Sequence, residues 1–489
     1  MCEFLLMFTK IRGAGMNTRY RNLRLIGLLF ALILSLQLAA CGGGTDTPAN
    51  TGKGFPVVVF SDVHFNPFYD PSLFPKLVAA DAGEWADIFK TSSIQAPSAW
   101  GSDTNYPLLA LALSRIKQNL GASPLVIYTG DILGHCFPQT FFNLYGSKNP
   151  PDVADIAAMR AFADKTVAFF MDQVRASVGN VPVMFAVGNS DSYLGAVPES
   201  SFLSNTAELY YTKFLNGTVD HQAFLDTFKA GGYYSAEPPG TNLLVIGLNT
   251  VIFNAQFGDN EKSAADAELA WLDAQLASAK ATGKKVWLLM HIPPGADINT
   301  TAGQLDSNGH LAGAAMMWNQ DYQTRFLQNF SKYPGLITLT LAAHTHMDEY
   351  RIVSPSDVLE ITPAISPVFG NNPAFRVFTF EQDTVKPTDY LSLNYDLATT
   401  PGQFDSYYTF SAAYSAQGPL DHSLEKLFPA LVTNKEKQAL YWGHHFSGHN
   451  YLIPNTNTQN PITNQTWLVY WCGIEKMGQK ELVDCVNTY

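Results

Sequence analysis

Short apolar runs recur along the chain, and each of them ends at a cluster of polar residues. Six runs are rich in Val, Ile, Leu and aromatic residues: FPVVVF (55–60), SPLVIY (123–128), VPVMFAV (181–187), NLLVIGLN (242–249), KKVWLLM (284–290) and GLITLTL (335–341). Runs of this length and composition predict strands that are buried on both faces.

Stretches with helical spacing of apolar residues lie between these runs, at residues 105–120, 155–178 and 266–283. Alternating strands and helices predict an α/β fold in which helices cover a central sheet. Beyond residue 385 the periodicity weakens and Tyr, Asn, Thr and Gln become frequent. We therefore expect the main domain to span residues 55–385 and a small, mostly helical C-terminal subdomain to span residues 386–489.

The amino terminus has the pattern of a targeting segment. A basic stretch begins at Met16, the expected true start, and is followed by an apolar run and then by Cys41. This order predicts a signal peptide over residues 1–40. The sequence LAAC resembles the bacterial lipobox, which implies lipidation of Cys41; an ordinary secretory signal is the alternative. Residues 41–54 are rich in Gly, Thr and Asn and predict a flexible tether.

Export follows from this segment. We expect a protein that is lipid-anchored to a cell-envelope membrane and faces the periplasm or the cell surface. Export permits disulfides, and the nearby Cys472 and Cys485 are predicted to clip the tail. The chain is acidic, with 30 Lys and Arg against 42 Asp and Glu. Nucleic acid is excluded as a partner because its binding requires a basic surface.

Candidate metal ligands follow the predicted strands. They are Asp62 and His64 in FSDVHFNPFY, Asp131 in YTGDILGH, Asn189 in VGNSDSY, His291 in LLMHIPPG, and His344 and His346 in LAAHTHMDEY. Side chains at i and i+2 of an extended strand point the same way. Ligands of open α/β sheets gather at the carboxyl ends of strands. The seven donors are therefore expected to meet at one rim.

The donor types indicate which metals would bind. Carboxylate and imidazole donors without cysteine suit borderline divalent ions, of which zinc is expected and manganese or iron are alternatives. Two sites can each approach four protein ligands only if one donor is shared, and an aspartate can bridge because its two oxygens point apart. Two metals about 3.5–4 Å apart form a clamp for displacement at phosphorus.

The short motifs that carry these seven ligands, taken in this order, resemble those of the calcineurin-like metallophosphoesterases. Within that superfamily, DVHFNPFY, TGDILGH, HIPPG, AHTHMDEY and ITPAISPVFGNNPAFRVFTFE look like the acid sphingomyelinase-like phosphodiesterases, over roughly residues 55–385. The resemblance implies a layered α/β sandwich and hydrolysis of a sphingomyelin-like phosphodiester by a metal-activated water at a dinuclear site.

The resemblance also implies a distribution of ligands. Asp62, His64 and His346 would hold one metal, Asn189, His291 and His344 would hold the other, and Asp131 would bridge them. His135 matches the substrate-side histidine of the family, which contacts phosphate or handles a proton. Asn189 would help to neutralise developing charge on the substrate.

The chain departs from the family pattern at Ser190, at Ala343, where the family usually has Gly, and ahead of Phe55. Ser190 occupies the position of a family histidine that polarises phosphate or protonates the leaving group. A serine is a poor acid near neutrality, so either His135 takes the role or the leaving group departs unaided. No cysteine-rich saposin-like module precedes Phe55, which puts extraction of sphingolipid from a bilayer in doubt. Asp191 is interpreted as a structural hydrogen-bonding residue.

Alternative functions remain open at this point. One is a nucleotide phosphodiesterase or phosphatase of the same fold, and another is a non-catalytic lipoprotein that binds at the cell surface. The irregular segment 295–322, which includes His310, is typical of a lid beside an active site. His444, His445 and His449 lie close in sequence and are interpreted as exposed or capping residues in preference to a surface metal site.

Overall fold

The computed structural model of the protein describes residues 54–215, 217–255, 262–355, 357–399, 401–449 and 461–489. Met16, Cys41, the predicted signal peptide and all of the predicted tether except Gly54 lie outside these residues.

The strands of the described residues form two six-stranded sheets. The strands are β1 (Gly54–Phe60), β2 (Val126–Tyr128), β3 (Val183–Phe185), β4 (Tyr234–Ala236), β5 (Leu243–Gly247), β6 (Lys285–Leu289), β7 (Ile337–Ala342), β8 (Glu349–Ser354), β9 (Asp357–Ile361), β10 (Ala374–Glu381), β11 (Pro387–Tyr395) and β12 (Phe404–Thr409). The first sheet has the order β12-β11-β10-β1-β2-β3, and the second has the order β4-β5-β6-β7-β9-β8.

The first sheet is parallel at one end and antiparallel at the other, whereas the second is parallel in the middle and antiparallel at both edges. Strands β1, β2 and β3 run parallel, and so do β5, β6, β7 and β9. The six strands predicted from the apolar runs are β1–β3 and β5–β7. The predicted layered α/β sandwich is confirmed. Its strands divide between two sheets, which the apolar runs did not reveal, because they show that strands are buried without showing which strands pair.

Aromatic side chains fill the space between the two sheets. The Trp287 ring lies 4.3 Å from that of Phe380, and the Phe185 ring lies 4.6 Å from that of Tyr234, measured between centroids. Each pair joins a strand of one sheet to a strand of the other. This aromatic layer buries the inner face of each sheet, and helices cover the outer face. The central strands are therefore apolar on both faces.

The helices of the described residues are as follows: α1 (Phe74–Ala79), α2 (Trp85–Lys90), α3 (Tyr106–Asn119), α4 (Phe137–Tyr145), α5 (Val153–Val178), α6 (Ser200–Leu209), α7 (His221–Gly231), α8 (Lys262–Thr282), α9 (Ile298–Ala302), α10 (Gln320–Lys332), α11 (Phe410–Tyr414), α12 (Leu420–Thr433), α13 (Lys435–His445), α14 (Trp467–Glu475) and α15 (Gln479–Thr488). The three predicted helical stretches are α3, α5 and α8. None of the described helices has the length and apolar character needed to cross a bilayer.

The C-terminal region contributes both strands and helices. Strands β11 and β12 extend the first sheet, so the predicted boundary at residue 385 falls between the hydrogen-bonded strands β10 and β11. The division of the chain at that residue stays a prediction. Helices predominate from Phe410 onward, which confirms the helical C-terminal region. A disulfide between Cys472 and Cys485 joins α14 to α15, as predicted.

Candidate metal centre

The predicted ligands lie in the segments that leave five strands. Asp62 and His64 follow β1, Asp131 follows β2 and Asn189 follows β3 in the first sheet; His291 follows β6, and His344 and His346 follow β7, in the second. These strands are parallel within each sheet, so their carboxyl ends lie at one edge. The structure therefore brings together the residues that the sequence predicts to meet.

Asp131 lies at the centre of the cluster. Its Oδ2 is 3.3 Å from the Nε2 of His64 and 3.1 Å from the Nε2 of His291. One carboxylate oxygen therefore faces two imidazoles that come from different sheets. This is the placement expected of a ligand that bridges two cations.

The donors on either side of Asp131 form two groups. On one side the Nε2 atoms of His64 and His346 are 3.1 Å apart, and Asp62 Oδ1 is 3.6 Å from His346 Nε2. On the other side, Asn189 Oδ1 is 3.1 Å from His291 Nε2. Ligand atoms of Asp131, His291 and His344 all lie within 4.8 Å of one another.

Backbone carbonyls fix the orientation of two imidazoles. The Nδ1 of His64 donates to Leu133 O at 3.0 Å, and the Nδ1 of His291 donates to Thr129 O at 2.8 Å. Because a carbonyl oxygen only accepts, Nδ1 carries a proton in each ring, and Nε2 is the nitrogen that faces the cluster. Hydrogen bonds of this kind commonly orient histidines that bind metals.

The donor set fits divalent cations. The Nε2 atoms of His64 and His346 face each other at 3.1 Å, and among the described residues the ion-pair partners of the buried Asp62 and Asp131 are all histidines. Buried charge is costly unless it is paired or coordinates a metal. Cations between these donors would take up the facing nitrogens and neutralise the carboxylates.

The electrostatics of the cluster favour neutral imidazoles on three of its histidines. Burial lowers the pKa of His64 to about 4 and that of His344 to about 3, and it also lowers the pKa of His346. Burial would lower the pKa of His291 as well, but the adjacent Asp131 carboxylate raises it to about 9. A neutral imidazole presents the lone pair that a metal requires.

The backbone at the cluster is strained. Asp62, His64, Asp131, His344 and His346 all have positive φ, between 44° and 73°. Residues with a Cβ adopt this left-handed region rarely, and such residues concentrate at functional sites. Gly188 is required beside them, because a Cβ at this position would lie 2.0 Å from Asp131 Oδ1.

His135 lies beside the first group of donors. Its ring stacks on that of His64 with centroids 3.9 Å apart. Its Nδ1 donates to Asp103 Oδ1 at 2.9 Å, and its backbone NH donates to Asp103 Oδ2 at 2.7 Å. Burial alone would lower the pKa of His135, but Asp103 outweighs burial and raises it. Asp103 was not predicted from the sequence.

Ser190 and Asp191 both contact the segment that carries Asp131. The Ser190 NH donates to Asp131 Oδ1 at 2.7 Å, and its hydroxyl lies 3.4 Å from Asp131 Oδ2. Asp191 accepts from the backbone NH groups of Asp131, Ile132 and Gly188. Ser190 thus orients the central carboxylate, and Asp191 has the hydrogen-bonding role expected of it.

Three other histidines are placed differently from the prediction. His444, His445 and His449 are buried, so their interpretation as exposed residues was wrong. His444 donates to or accepts from the Tyr414 hydroxyl at 2.9 Å and stacks on Tyr408. These residues appear in none of the metal-compatible groups found within the described part of the chain.

The segment expected to form a lid is tied to the C-terminal helix. The Leu311 NH donates to Asn487 Oδ1 at 2.8 Å, and Asn487 Nδ2 donates back to Leu311 O at 2.9 Å. His310 is exposed. Near the start of the same segment, the Ala296 carbonyl accepts from the buried Arg351. Arg351 also donates to Gly473 O in α14.

Comparison with known families defines the class of this protein. Residues 55–348 match the family described as calcineurin-like phosphoesterase, and this match covers more than half of the chain. The chain therefore belongs to the calcineurin-like phosphoesterase family.

Curated relatives narrow the class. The chain is 24% identical over 478 residues to the cyclic GMP-AMP phosphodiesterase SMPDL3A of Rattus norvegicus, covering 92% of this chain and 96% of the relative. It is 20% identical over 398 residues to sphingomyelinase phosphodiesterase C of Dictyostelium discoideum, covering 76% and 78%. Among solved structures, a dimetal phosphatase from Danio rerio is similar, with a TM-score of 0.39, 13% identity and coverage of 73% and 98%.

These findings confirm the predicted class. The relatives are acid sphingomyelinase-like phosphodiesterases, and the chain is a hydrolase that acts on phosphoric ester bonds. The fold and the clustered donors indicate divalent metals at a dinuclear site. The enzymatic assignment replaces the alternative of a non-catalytic binding protein.

Proposed function

We propose that the chain hydrolyses a sphingomyelin-like phosphodiester at two zinc ions that share Asp131. The other ligands would be Asp62, His64 and His346 for one ion, and Asn189, His291 and His344 for the other. The observation that carries the proposal is the position of Asp131 Oδ2, within 3.3 Å of imidazoles from both sheets. Nitrogen and oxygen donors without thiolate suit zinc, and manganese or iron are alternatives.

Two bound divalent cations would supply a water nucleophile with a pKa of about 7 and would stabilise charge on the phosphoryl group. The residues of the chain would provide the remaining functions. His135, held by Asp103 with its pKa raised, would donate a proton to the leaving oxygen from Nε2. Asn189 would donate from its amide to a phosphoryl oxygen. Ser190 would hold the bridging carboxylate and leave proton donation to His135.

A nucleotide phosphodiesterase is the second candidate. It is favoured by the length of the match to cyclic GMP-AMP phosphodiesterases, which extends over 92% of this chain, against 76% for the sphingomyelinase. A nucleotide substrate also needs no extraction from a bilayer.

The experiment that tests the proposal is a substrate panel on metal-depleted protein reloaded separately with zinc, manganese and iron. Phosphocholine release from sphingomyelin, mononucleotide release from a cyclic dinucleotide and phosphate release from a mononucleotide are measured for each metal. We expect the highest rate with zinc and with a phosphodiester. Failure of every reloaded form to exceed the metal-depleted protein would overturn the proposal.

The proposed location is a membrane outside the cytoplasm, reached through lipidation of Cys41 after removal of residues 1–40. The disulfide between Cys472 and Cys485 is consistent with export. Fractionation tests the anchor: Cys41→Ser should move the protein from the membrane fraction to the soluble exported fraction. Retention of this variant in the membrane would contradict lipidation at Cys41.

A further inference from the structure

The seven candidate metal ligands, which we call the donor cluster, are closed off from solvent on one side and open to it on the other. Asp62, His64 and His291 are fully buried, whereas His135, Asn189 and His344 are partly exposed. A substrate must therefore reach the cluster past these three side chains. Any group esterified to the phosphate would lie against whatever borders this opening.

Phe369 borders the opening. Its ring centroid is 5.5 Å from that of His135 and 4.6 Å from that of His346, so it touches both the proposed proton donor and a proposed ligand. The ring is only partly buried. It thus presents apolar surface to solvent directly beside the atoms at which the ester would react.

Two segments, residues 101–103 and 446–449, hold the loop that carries Phe369. The Gly101 NH donates to Pro367 O at 3.0 Å, and the Asn372 NH donates to Phe446 O at 3.1 Å. The Ser366 hydroxyl donates to Asp103 Oδ1 at 3.2 Å, and His449 Nδ1 bonds to Gly370 O. Because the backbone is fixed on both sides of residue 369, the Phe369 ring is held in place at the edge of the opening before substrate binds.

We propose that Phe369 determines specificity by contacting a planar aromatic group on the substrate phosphate, such as a nucleobase or an aryl ester. This inference rests on the proposed phosphodiester site. Offset or edge-to-face aromatic pairs are stabilised beyond the area they bury. A quaternary ammonium such as choline could also contact this ring through a cation–π interaction, so phosphocholine is measured as the competing ligand.

Binding of non-hydrolysable phosphonates tests this proposal without turnover. Phenylphosphonate and methylphosphonate share the metal-binding phosphonate and differ in the ring. We expect Phe369→Ala to weaken phenylphosphonate binding to the zinc-loaded protein about three- to tenfold, with less than a twofold change for methylphosphonate. Phe369→Tyr should bind both compounds as the wild type does. Phe369→Leu, which keeps apolar volume without a ring, should also lose the preference for phenylphosphonate.

Controls separate a binding role from a packing role. Phe428→Ala removes a partly buried ring that stacks on Trp471, and it should change neither affinity. If the Phe369 variants bound both phosphonates more weakly to the same extent, the inference would be overturned. A selective loss of phosphocholine binding would also overturn it. These outcomes are independent of the proposed function, whose failure would appear as the absence of metal-dependent hydrolysis in the wild type.

Discussion

Two buried clusters of charge in this molecule solve the same problem in opposite ways. In the first, Asp62 and Asp131 have only histidines as ion-pair partners among the described residues. In the second, Arg376 is paired with Asp348 and Glu360, and Asp348 also accepts from the Tyr408 hydroxyl. The first is the donor cluster, and we call the second the arginine cluster. In the arginine cluster one guanidinium serves two carboxylates, and burial raises the pKa of Glu360 to about 7, so the chain itself supplies most of the neutralisation. The donor cluster has no guanidinium or ammonium partner among the described residues and fits cations from outside.

Another buried carboxyl shows a third solution. Glu268 is fully buried and accepts from the Asn249 NH at 2.8 Å, and its other oxygen has no hydrogen-bond partner within the described part of the chain. Burial raises its pKa to about 8, so a proton neutralises it near neutral pH. The contrast indicates that burial alone does not mark a catalytic carboxylate; the nature of its neutralising partner does.

Removing the central carboxylate of the donor cluster should have the largest effect. Asp131→Asn should lower hydrolysis of bis(p-nitrophenyl) phosphate at least about a thousandfold, since loss of the shared ligand removes several kcal/mol of charge stabilisation. The metal-free fold should persist, because the change removes a carboxylate beside Asp62. Turnover and melting temperature are measured with and without zinc.

Zinc provides the control for this change. It should raise the melting temperature of the wild type by binding the folded state, and this rise should be absent in Asp131→Asn. Unchanged turnover in the variant would contradict the assignment of Asp131 as the shared ligand.

Breaking the arginine cluster should affect stability. Arg376→Met leaves Asp348 and Glu360 buried without a cation, and breaking a buried pair costs about 3–5 kcal/mol. Urea unfolding measures this loss. Arg325→Met is the matched control, because Arg325 is 35% exposed and pairs with a surface aspartate, Asp266; its loss should stay below about 1 kcal/mol. Similar losses in both variants would show that burial of the arginine cluster does not matter.

His135 lies against His64 of the donor cluster, and its own charge partner is Asp103. His135→Gln should lower kcat about a hundredfold for an alkyl phosphodiester, which has a poor leaving group. The decrease should be clearly smaller for bis(p-nitrophenyl) phosphate, whose leaving group departs without a proton. Equal decreases for both substrates would indicate that His135 positions the substrate and does not donate a proton.

Glu268 gives the smallest expected effect. Its pKa is about 8 in the folded state against 4.5 ordinarily, so the folded state binds more protons and stability is lost as pH rises between these values. Glu268→Gln should remove about 1–3 kcal/mol of this pH dependence and raise the melting temperature at pH 8.5 more than at pH 4.5. The exposed Glu237→Gln should leave the pH dependence unchanged. A parallel shift at both pH values would contradict the assignment.

The sequence predicted the donor cluster well because each donor follows a parallel strand, and parallel strands deliver their ends to one edge. Asp103 could not be predicted in this way. Asp103 stands two residues before Asn105, the N-cap of α3, so it resembles an ordinary polar residue at a helix start. Its contact with His135 exists only after residues 32 positions apart are brought together.

The C-terminal strands and the buried histidines were missed for related reasons. Strand β11 has the sequence PTDYLSLNY, whose Tyr, Asn and Thr residues read as irregular structure. It is a strand because its partners in the sheet pair with its backbone. His444 and His445 look exposed in sequence because they end a helix, yet burial lowers the pKa of each to about 3 and keeps them neutral in the interior.

At five ligand positions the left-handed backbone makes stability and activity oppose each other. These positions are Asp62, His64, Asp131, His344 and His346. Each such residue costs about 1 kcal/mol or more that glycine would not, so replacing any of them with glycine relaxes the main chain while deleting a donor. Heat-selected libraries of this enzyme should therefore enrich inactive survivors at these five codons unless turnover is screened in parallel.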